Sequence, residues 1–350
     1  MRTEEFDYDL PDGLIAQEPA PRRDAARLML LERHGGEVDE TTFDRLGDHV
    51  GPGDLLVLND TRVMPARLYA RKPGGGRVEI LLVERDAADA GGRTWRCMVS
   101  TGRGLRPGAR LWIADGFEAE PVGEAPGGRF LLRFECAAGS FDEAIERHGV
   151  MPVPPYVRRD AGDPRLELDR ERYQTVYARA TGAIAAPTAG LHFTDGLLER
   201  LARRGVRAAR LTLHVGPGTF QPVRAGRIED HCLESEAYRL PGATADAIHA
   251  CRRAGGRVVA VGTTVTRVLE ALGAADGAVR AGEGRCALYI TPGHRFRVVD
   301  ALITNLHLPR SSLIILVAAF AGRERVLAAY REAVRRRFRF HSYGDAMLVR

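Results

Sequence analysis

Two histidines stand where an imidazole can move a proton. His192 lies in AIAAPTAGLHFT (residues 183–194), an apolar run broken at Pro187, with Thr188 and Gly190 in the turn before the histidine. His214 lies in LTLHVGPGTFQPV (residues 211–223), directly ahead of a Gly216-Pro217-Gly218-Thr219-Phe220 turn. Imidazole changes protonation state near neutral pH, so both are candidate acid/base groups. Alternation puts Leu211, Leu213 and Val215 on one strand face and Thr212 with His214 on the other. The exposed amides of the turn suit an anion. A locally hydrogen-bonded histidine and an ordinary glycine turn stay open as the plainer readings of both segments.

Three further clusters carry polar chemistry. VVAVGTTVTRVLEAL (residues 258–272) reads as strand, Gly262-Thr263-Thr264 and helix, a start whose unpaired N–H groups favour a carboxylate or phosphate, with simple capping as the alternative. It lacks the G-x-G-x-x-G and G-x-x-x-x-G-K patterns, so neither a dinucleotide fingerprint nor a phosphate loop is supported. HCLESEAY (residues 231–238) gathers His231, Glu234 and Glu236, which with the two histidines could be drawn as a metal site. No diagnostic ligand spacing is present, and no metal is expected. Near residue 349, FRFHSYGDAMLV offers Tyr343 and Asp345, and its aromatic and apolar residues suggest a docked segment.

The elements that must position these groups fall into two kinds. DLLVLND (residues 54–60) is strand-like, and RVEILLVE, TWRCMVS, ARLWIA and RFLLRFE are strand-like runs between Gly/Pro-rich turns, as in a small β-barrel. After the short helical stretch FDEAIERHG, the prolines of MPVPPYVRRD mark a boundary. Beyond it helices and strands alternate: TDGLLERLARRG, RAARLTLHV, TADAIHACRRAGG, RVVAVG, TTVTRVLEAL, RCALYI, VVDALIT and an amphipathic helix near ERVLAAYREAVRRRF. The expected fold is α/β: a layered α/β domain built from residues 1–62 and 151–350, with a small β-barrel of residues 63–150 inserted.

Bulk properties agree with a soluble, cytoplasmic chain. It has 350 residues, 45 % of them hydrophobic and 28 % charged, with net charge +5. The basic surplus is nearly all arginine, with Lys72 the only lysine, which suits phosphate recognition as well as a solvated surface. Five scattered cysteines form no C-x-x-C pair and argue against a disulfide framework. The acidic opening MRTEEFDYDL is unlike a signal peptide, and the run LIILVAAFA is too short for a bilayer.

Taken in order, FDYDLPDGLIAQEP, LLVLNDTRVMPARL, MPVPPYVRR, YQTVYA, AIAAPTAGLHFT, LTLHVGPGTFQPV, VVAVGTTVTRVLE, DALITNLHLPRSSLIILVAAFAG and FRFHSYGDAMLV run through nearly the whole chain. Together they resemble the S-adenosylmethionine:tRNA ribosyltransferase-isomerase family of queuosine biosynthesis. The resemblance implies an α/β domain with an inserted barrel. It implies transfer and isomerisation of the ribosyl part of S-adenosylmethionine onto preQ1 at the wobble position of tRNAs with GUN anticodons. Epoxyqueuosine, adenine and methionine are the implied products. S-adenosylmethionine is then a consumed substrate, no cofactor is needed, and a monomer is expected. On this reading His192 and His214 lead as acid/base groups, with Glu236 and Asp345 next. Gly262 to Thr264 would take the methionine carboxylate and Gly216 to Thr219 the adenosine, while Phe220, His231, Thr188, Gly190 and Tyr343 complete the expected binding set. Arg335, Arg336, Arg337 and Arg339 are candidate phosphate contacts. Two segments depart from the family pattern. HCLESE stands where H-x-M-H-x-E is usual, so Leu233 and Glu234 replace Met-His. VSTGRGLRPG (residues 99–108) stands where a turn with proline and lysine is usual.

Overall fold

The computed structural model describes residues 1–350 except Gly36, Ala90, Arg103, Pro107 and Gln221, and leaves the side chains of Thr219 and Phe220 undescribed. Before the insertion come strands β1 (Arg27–Leu31), β2 (Asp39–Thr42), β3 (Leu55–Asn59) and β4 (Thr61–Val63). The insertion contributes β5 (Arg67–Arg71), β6 (Arg77–Arg85), β7 (Thr94–Thr101), β8 (Leu111–Ala114), β9 (Phe117–Ala125) and β10 (Arg129–Cys136). After it follow β11 (Ala180–Ala183), β12 (Arg207–Leu213), β13 (Glu236–Leu240), β14 (Val258–Val261), β15 (Gly282–Cys286), β16 (Ala301–Asn305) and β17 (Ala346–Val349). The helices are α1 (Phe141–His148), α2 (Leu166–Arg172), α3 (Asp195–Arg203), α4 (Gly242–Arg253), α5 (Thr263–Leu272), α6 (Ser312–Ala321) and α7 (Arg323–Arg335).

Among the described residues, one mixed sheet runs in the order β15-β13-β12-β3-β14-β16-β17-β1-β2, and β10-β7-β6-β5-β8-β9 close into a barrel. Strict period-2 alternation explains the layers. Leu55, Val57, Val258, Ala260, Leu302, Met347 and Val349 face one apolar core, which α4 to α7 cover. Leu56, Leu58, Val259, Val261, Ile303, Ala346 and Leu348 face the opposite one, closed by Phe43 and by Leu197 and Leu201 of α3. Strands buried on both faces read as continuous apolar runs, which LLVLN and VVAV are. The inserted barrel fills its own core with Leu68, Ile80, Leu82, Cys97, Leu132 and Phe134. This is the expected layered α/β architecture with an inserted barrel.

Several elements differ from the sequence expectation. The apolar run LIILVAAFA is helix α6, buried on every side, and no helix of the described residues is long and apolar enough to cross a membrane. RLMLL, which carries no alternation, is β1 between β17 and β2. RCALYI stops being a strand at Cys286, because the carbonyls of Cys286 and Leu288 turn to the buried guanidinium of Arg267, 3.4 and 2.9 Å away. In AIAAPTAGLHFT only Ala183 belongs to a strand, β11, which pairs with β4. Pro187 then starts a short 3₁₀ turn over Thr188–His192, and Thr194 caps α3 as expected.

Candidate active site

A cavity of about 1000 Å³ lies between one end of the barrel and the edge of the large sheet. Its body wall carries His214, Gly216, Gly218, Leu233, Glu234, Glu236 and Arg267, and its barrel wall carries Met64, Arg85, Trp95, Arg96 and Arg129. The volume is that of a site for a sizeable ligand.

His214 is held from three sides. Its backbone N–H donates to the Ala237 carbonyl at 3.0 Å, tying the end of β12 to β13. Its Nδ1 lies 2.8 Å from Thr61 Oγ1. Thr61 is fixed in turn by Asn59, whose Oδ1 accepts the N–H groups of Thr61 (3.2 Å) and Leu213 (3.0 Å) while its Nδ2 donates to the Leu213 carbonyl (2.9 Å). Gly182 forms the third side: at φ +152°, a Cβ there would sit 2.8 Å from the imidazole. Burial lowers the His214 pKa and nearby Asp60 raises it, with burial the larger effect, so the ring is neutral at neutral pH. Gly182→Ala is therefore expected to displace the ring and lower turnover by about a hundredfold, the order of loss that a misplacement near 1 Å brings. Adenine release and thermal melting of the variant check this: unchanged turnover would show that ring position is unimportant.

Glu236 and Arg267 form a buried ion pair at 2.6 Å, with the side chains 6 % and 3 % exposed. The other Glu236 oxygen, Oε1, accepts the Gly216 N–H at 2.8 Å, so the pair locks the glycine turn onto the cavity wall. Glu234 reaches across the mouth to Arg129 of the barrel (Oε2 at 2.6 Å), and Arg285 reaches Glu84 at 2.9 Å. The departure in HCLESE thus occupies a bridge between body and barrel.

The structure divides the expected site residues into two groups. His214, Gly216, Gly218 and Glu236 share the cavity. Thr219 and Phe220 lie beside them on the 3₁₀ turn Pro217–Phe220, their side chains outside the described residues. His231 is off the lining, edge-on to Tyr289, with its pKa lowered by burial. The second group sits at the carboxyl ends of β14 and β16. Here His192 is 4 % exposed, accepts from Asn305 Nδ2 through its Nε2 at 3.2 Å, and is held at a pKa of about 3 by burial and by Arg339 and Arg23. With Tyr343 it lines a crevice of about 20 Å³, room for little more than a water. Tyr343 donates to Asp169 at 2.8 Å, and Asp345 accepts the N–H groups of Arg27 (3.1 Å) and Arg339 (2.8 Å), both duties within the fold. Thr188 opens the 3₁₀ turn; a Cβ on Gly190 would lie 2.1 Å from the Tyr177 hydroxyl, so its close approach is to the protein itself. Gly262 (φ +96°) precedes α5, and Thr263 and Thr264 behind it are buried away from the large cavity. Of the four candidate arginines, Arg335 and Arg336 pair with Glu332 and Arg339 with Asp345; Arg337 is exposed.

Thr61, Asn59 and Arg267 escape a reading of sequence alone. Arg267 leaves one trace: with Glu270 it is one of two charges in the otherwise uncharged helix TTVTRVLEAL. Among the described residues no group of three or more His, Cys, Asp or Glu side chains is placed to hold a metal.

The queuosine biosynthesis protein family model matches residues 3–349. A relative from Geobacter sulfurreducens, named S-adenosylmethionine:tRNA ribosyltransferase-isomerase, is 54 % identical over 349 residues, covering all of both chains. One of the same name from Moorella thermoacetica is 48 % identical over 351 residues, again covering both chains. The crystal structure of S-adenosylmethionine tRNA ribosyltransferase from Thermotoga maritima is 38 % identical, covers 99 % of this chain and 100 % of its own, and aligns with a TM-score of 0.55. Full-length coverage at such identity leaves no segment of the fold or cavity outside the match, and the chain belongs to the S-adenosylmethionine:tRNA ribosyltransferase-isomerase family, the transferases of queuosine biosynthesis.

Proposed function

We propose that the chain transfers and isomerises the ribosyl moiety of S-adenosylmethionine onto preQ1 at the wobble position of tRNAs with GUN anticodons, in the cytoplasm and as a monomer. The products are epoxyqueuosine, adenine and methionine; S-adenosylmethionine is consumed and no metal or cofactor takes part. The observation that carries this reading is a neutral, tightly oriented histidine on the wall of a cavity that opens between the two bodies of the fold.

The reaction makes three demands. A base must take a proton from the 5′ carbon, which the adjacent sulfonium acidifies. Adenine must leave with a proton or a donor on its ring. The aminomethyl group of preQ1 must be neutral before its nitrogen attacks the ribosyl carbon. His214 suits the first, because an imidazole kept neutral by burial is ready to accept a proton. Glu236 and Arg267 act as positioning residues that set the Gly216 turn. The wobble base must leave its stack to enter, at roughly a few kcal/mol, which a partly unpaired anticodon loop lowers.

The decisive experiment mixes the purified protein with S-adenosylmethionine and preQ1-containing tRNA bearing a GUN anticodon, with and without chelator. Digested nucleosides are weighed by mass spectrometry and adenine is followed. Epoxyqueuosine with adenine in both samples is expected. Product only without chelator would replace this mechanism by a metal-dependent one, and tRNA binding without product would mark a binding protein that has lost catalysis.

A further inference from the structure

The β5 and β6 strands place Arg71 directly opposite Arg77, and β5 and β8 place the same Arg71 opposite Trp112. These three side chains form one row across neighbouring strands on the outer surface of the barrel. All three are exposed, and Trp112, at 49 %, is the most exposed of the large apolar side chains among the described residues. Like charges directly opposite each other destabilise a sheet, and a bare indole costs hydration, so the row works against the stability of the barrel by itself. Nor is it neutralised locally. The neighbouring carboxylates Glu79 and Glu118 are taken by Arg67 and Arg110.

We propose that this row is a docking surface for an RNA strand, and that it holds the body of the tRNA outside the reacting nucleotide. An indole face beside two guanidinium groups is the combination that grips single-stranded or loop nucleotides: bases stack on the ring and phosphates pair with the arginines. Position agrees with chemistry. The cavity is lined by Glu84 and Arg85 at one end of β6, whereas Arg77 begins that strand, about 23 Å away along it at the usual strand rise. A nucleotide flipped into the cavity leaves its flanking RNA free to reach this face. Thr101 and Gly104, from the segment that departs from the family pattern, lie at the same end of the barrel: Thr101 pairs with Val78, and the Lys72 ammonium donates to the Gly104 carbonyl at 3.2 Å. By contrast, three of the four arginines between residues 335 and 339 are already spent on carboxylates of their own chain.

The proposal rests on tRNA being the substrate, and its test separates the two. Binding of tRNA is titrated at several salt concentrations for the wild type, Trp112→Ala, Trp112→Phe and the double variant Arg71→Gln/Arg77→Gln, with thermal melting and sedimentation in parallel. Trp112→Ala is expected to weaken binding about tenfold or more, with Trp112→Phe restoring most of it. The double variant is expected to reduce the slope of log affinity against log salt by about 1.4. Adenine release at saturating tRNA is expected to be unchanged in all of them. Folded variants with wild-type affinity and slope would overturn the docking surface, while adenine release by the wild type would leave the catalytic reading standing. A change in sedimentation of the wild type that Trp112→Ala abolishes, with tRNA affinity untouched, would overturn it in favour of a second copy of the chain.

Discussion

His214→Ala is expected to lower turnover by roughly 10²- to 10⁴-fold while leaving tRNA affinity near that of the wild type, the range that loss of a positioned general base or acid brings. The ring lines the cavity, and its Nδ1 is engaged by Thr61, which leaves Nε2 for substrate. Thr61→Val removes that partner without changing the size of the side chain, so it is expected to lose activity while Thr61→Ser keeps it. The pH profile reports on the same contact. Burial holds the His214 pKa below its usual value, so the acid limb of the wild-type profile should lie below about 6.5. In Thr61→Val the limb is expected to move. Near-normal turnover in His214→Ala would remove this residue from the mechanism and return attention to His192.

A steep loss of stability in mild acid is the second large expectation. His192, His307 and His341 are each held at a pKa of about 3, mainly by burial, with Arg339 and Arg23 adding to the first and His341 to the second. An unfolded histidine takes its proton near pH 6.5. Between about 6.5 and 3 the unfolded chain therefore binds protons that the native chain refuses. Stability rises with pH across that window and is lost as pH falls through it. With three such groups the limiting slope is about 4 kcal/mol per pH unit. Between about pH 6.5 and 5.5 histidine titrates above most of the ordinary carboxylate range, so urea midpoints measured there report chiefly on the buried histidines. His341 has φ +73°, a conformation asparagine tolerates, so His341→Asn should fold and lower the slope by about a third. A slope unchanged between wild type and this variant would show that His341 titrates normally in the native state.

Much of the architecture is legible because it depends on local periodicity. LLVLN, VVAV and ALITN are apolar runs that only a strand buried on both faces can use, and the short runs between glycine turns announce the barrel. RLMLL and LIILVAAFA are apolar without a period, so neither helix nor strand stands out from them. The site was harder for a different reason. Thr61 and His214 are 153 residues apart, and Glu236 and Arg267 are 31 apart, so their contacts belong to sheet order, which no local pattern encodes. The proline–glycine setting of His192 has the look of a ligand loop, and the structure adds what no local pattern shows: Gly190 lies against the Tyr177 hydroxyl.

The barrel leaves the body near Val63 and the chain returns near Val150, and these two crossings are bonded to each other: Arg67 N–H donates to the Val150 carbonyl (3.2 Å) and Val150 N–H to the Arg67 carbonyl (2.9 Å). The stem of the barrel is therefore stapled to itself, and Arg170 adds bonds from the body to the Glu146 and Gly149 carbonyls beside it. At the mouth of the cavity the Arg129–Glu234 and Arg285–Glu84 bridges join the same two parts again, so the width of the cavity is set by contacts at both places rather than by the linkers alone.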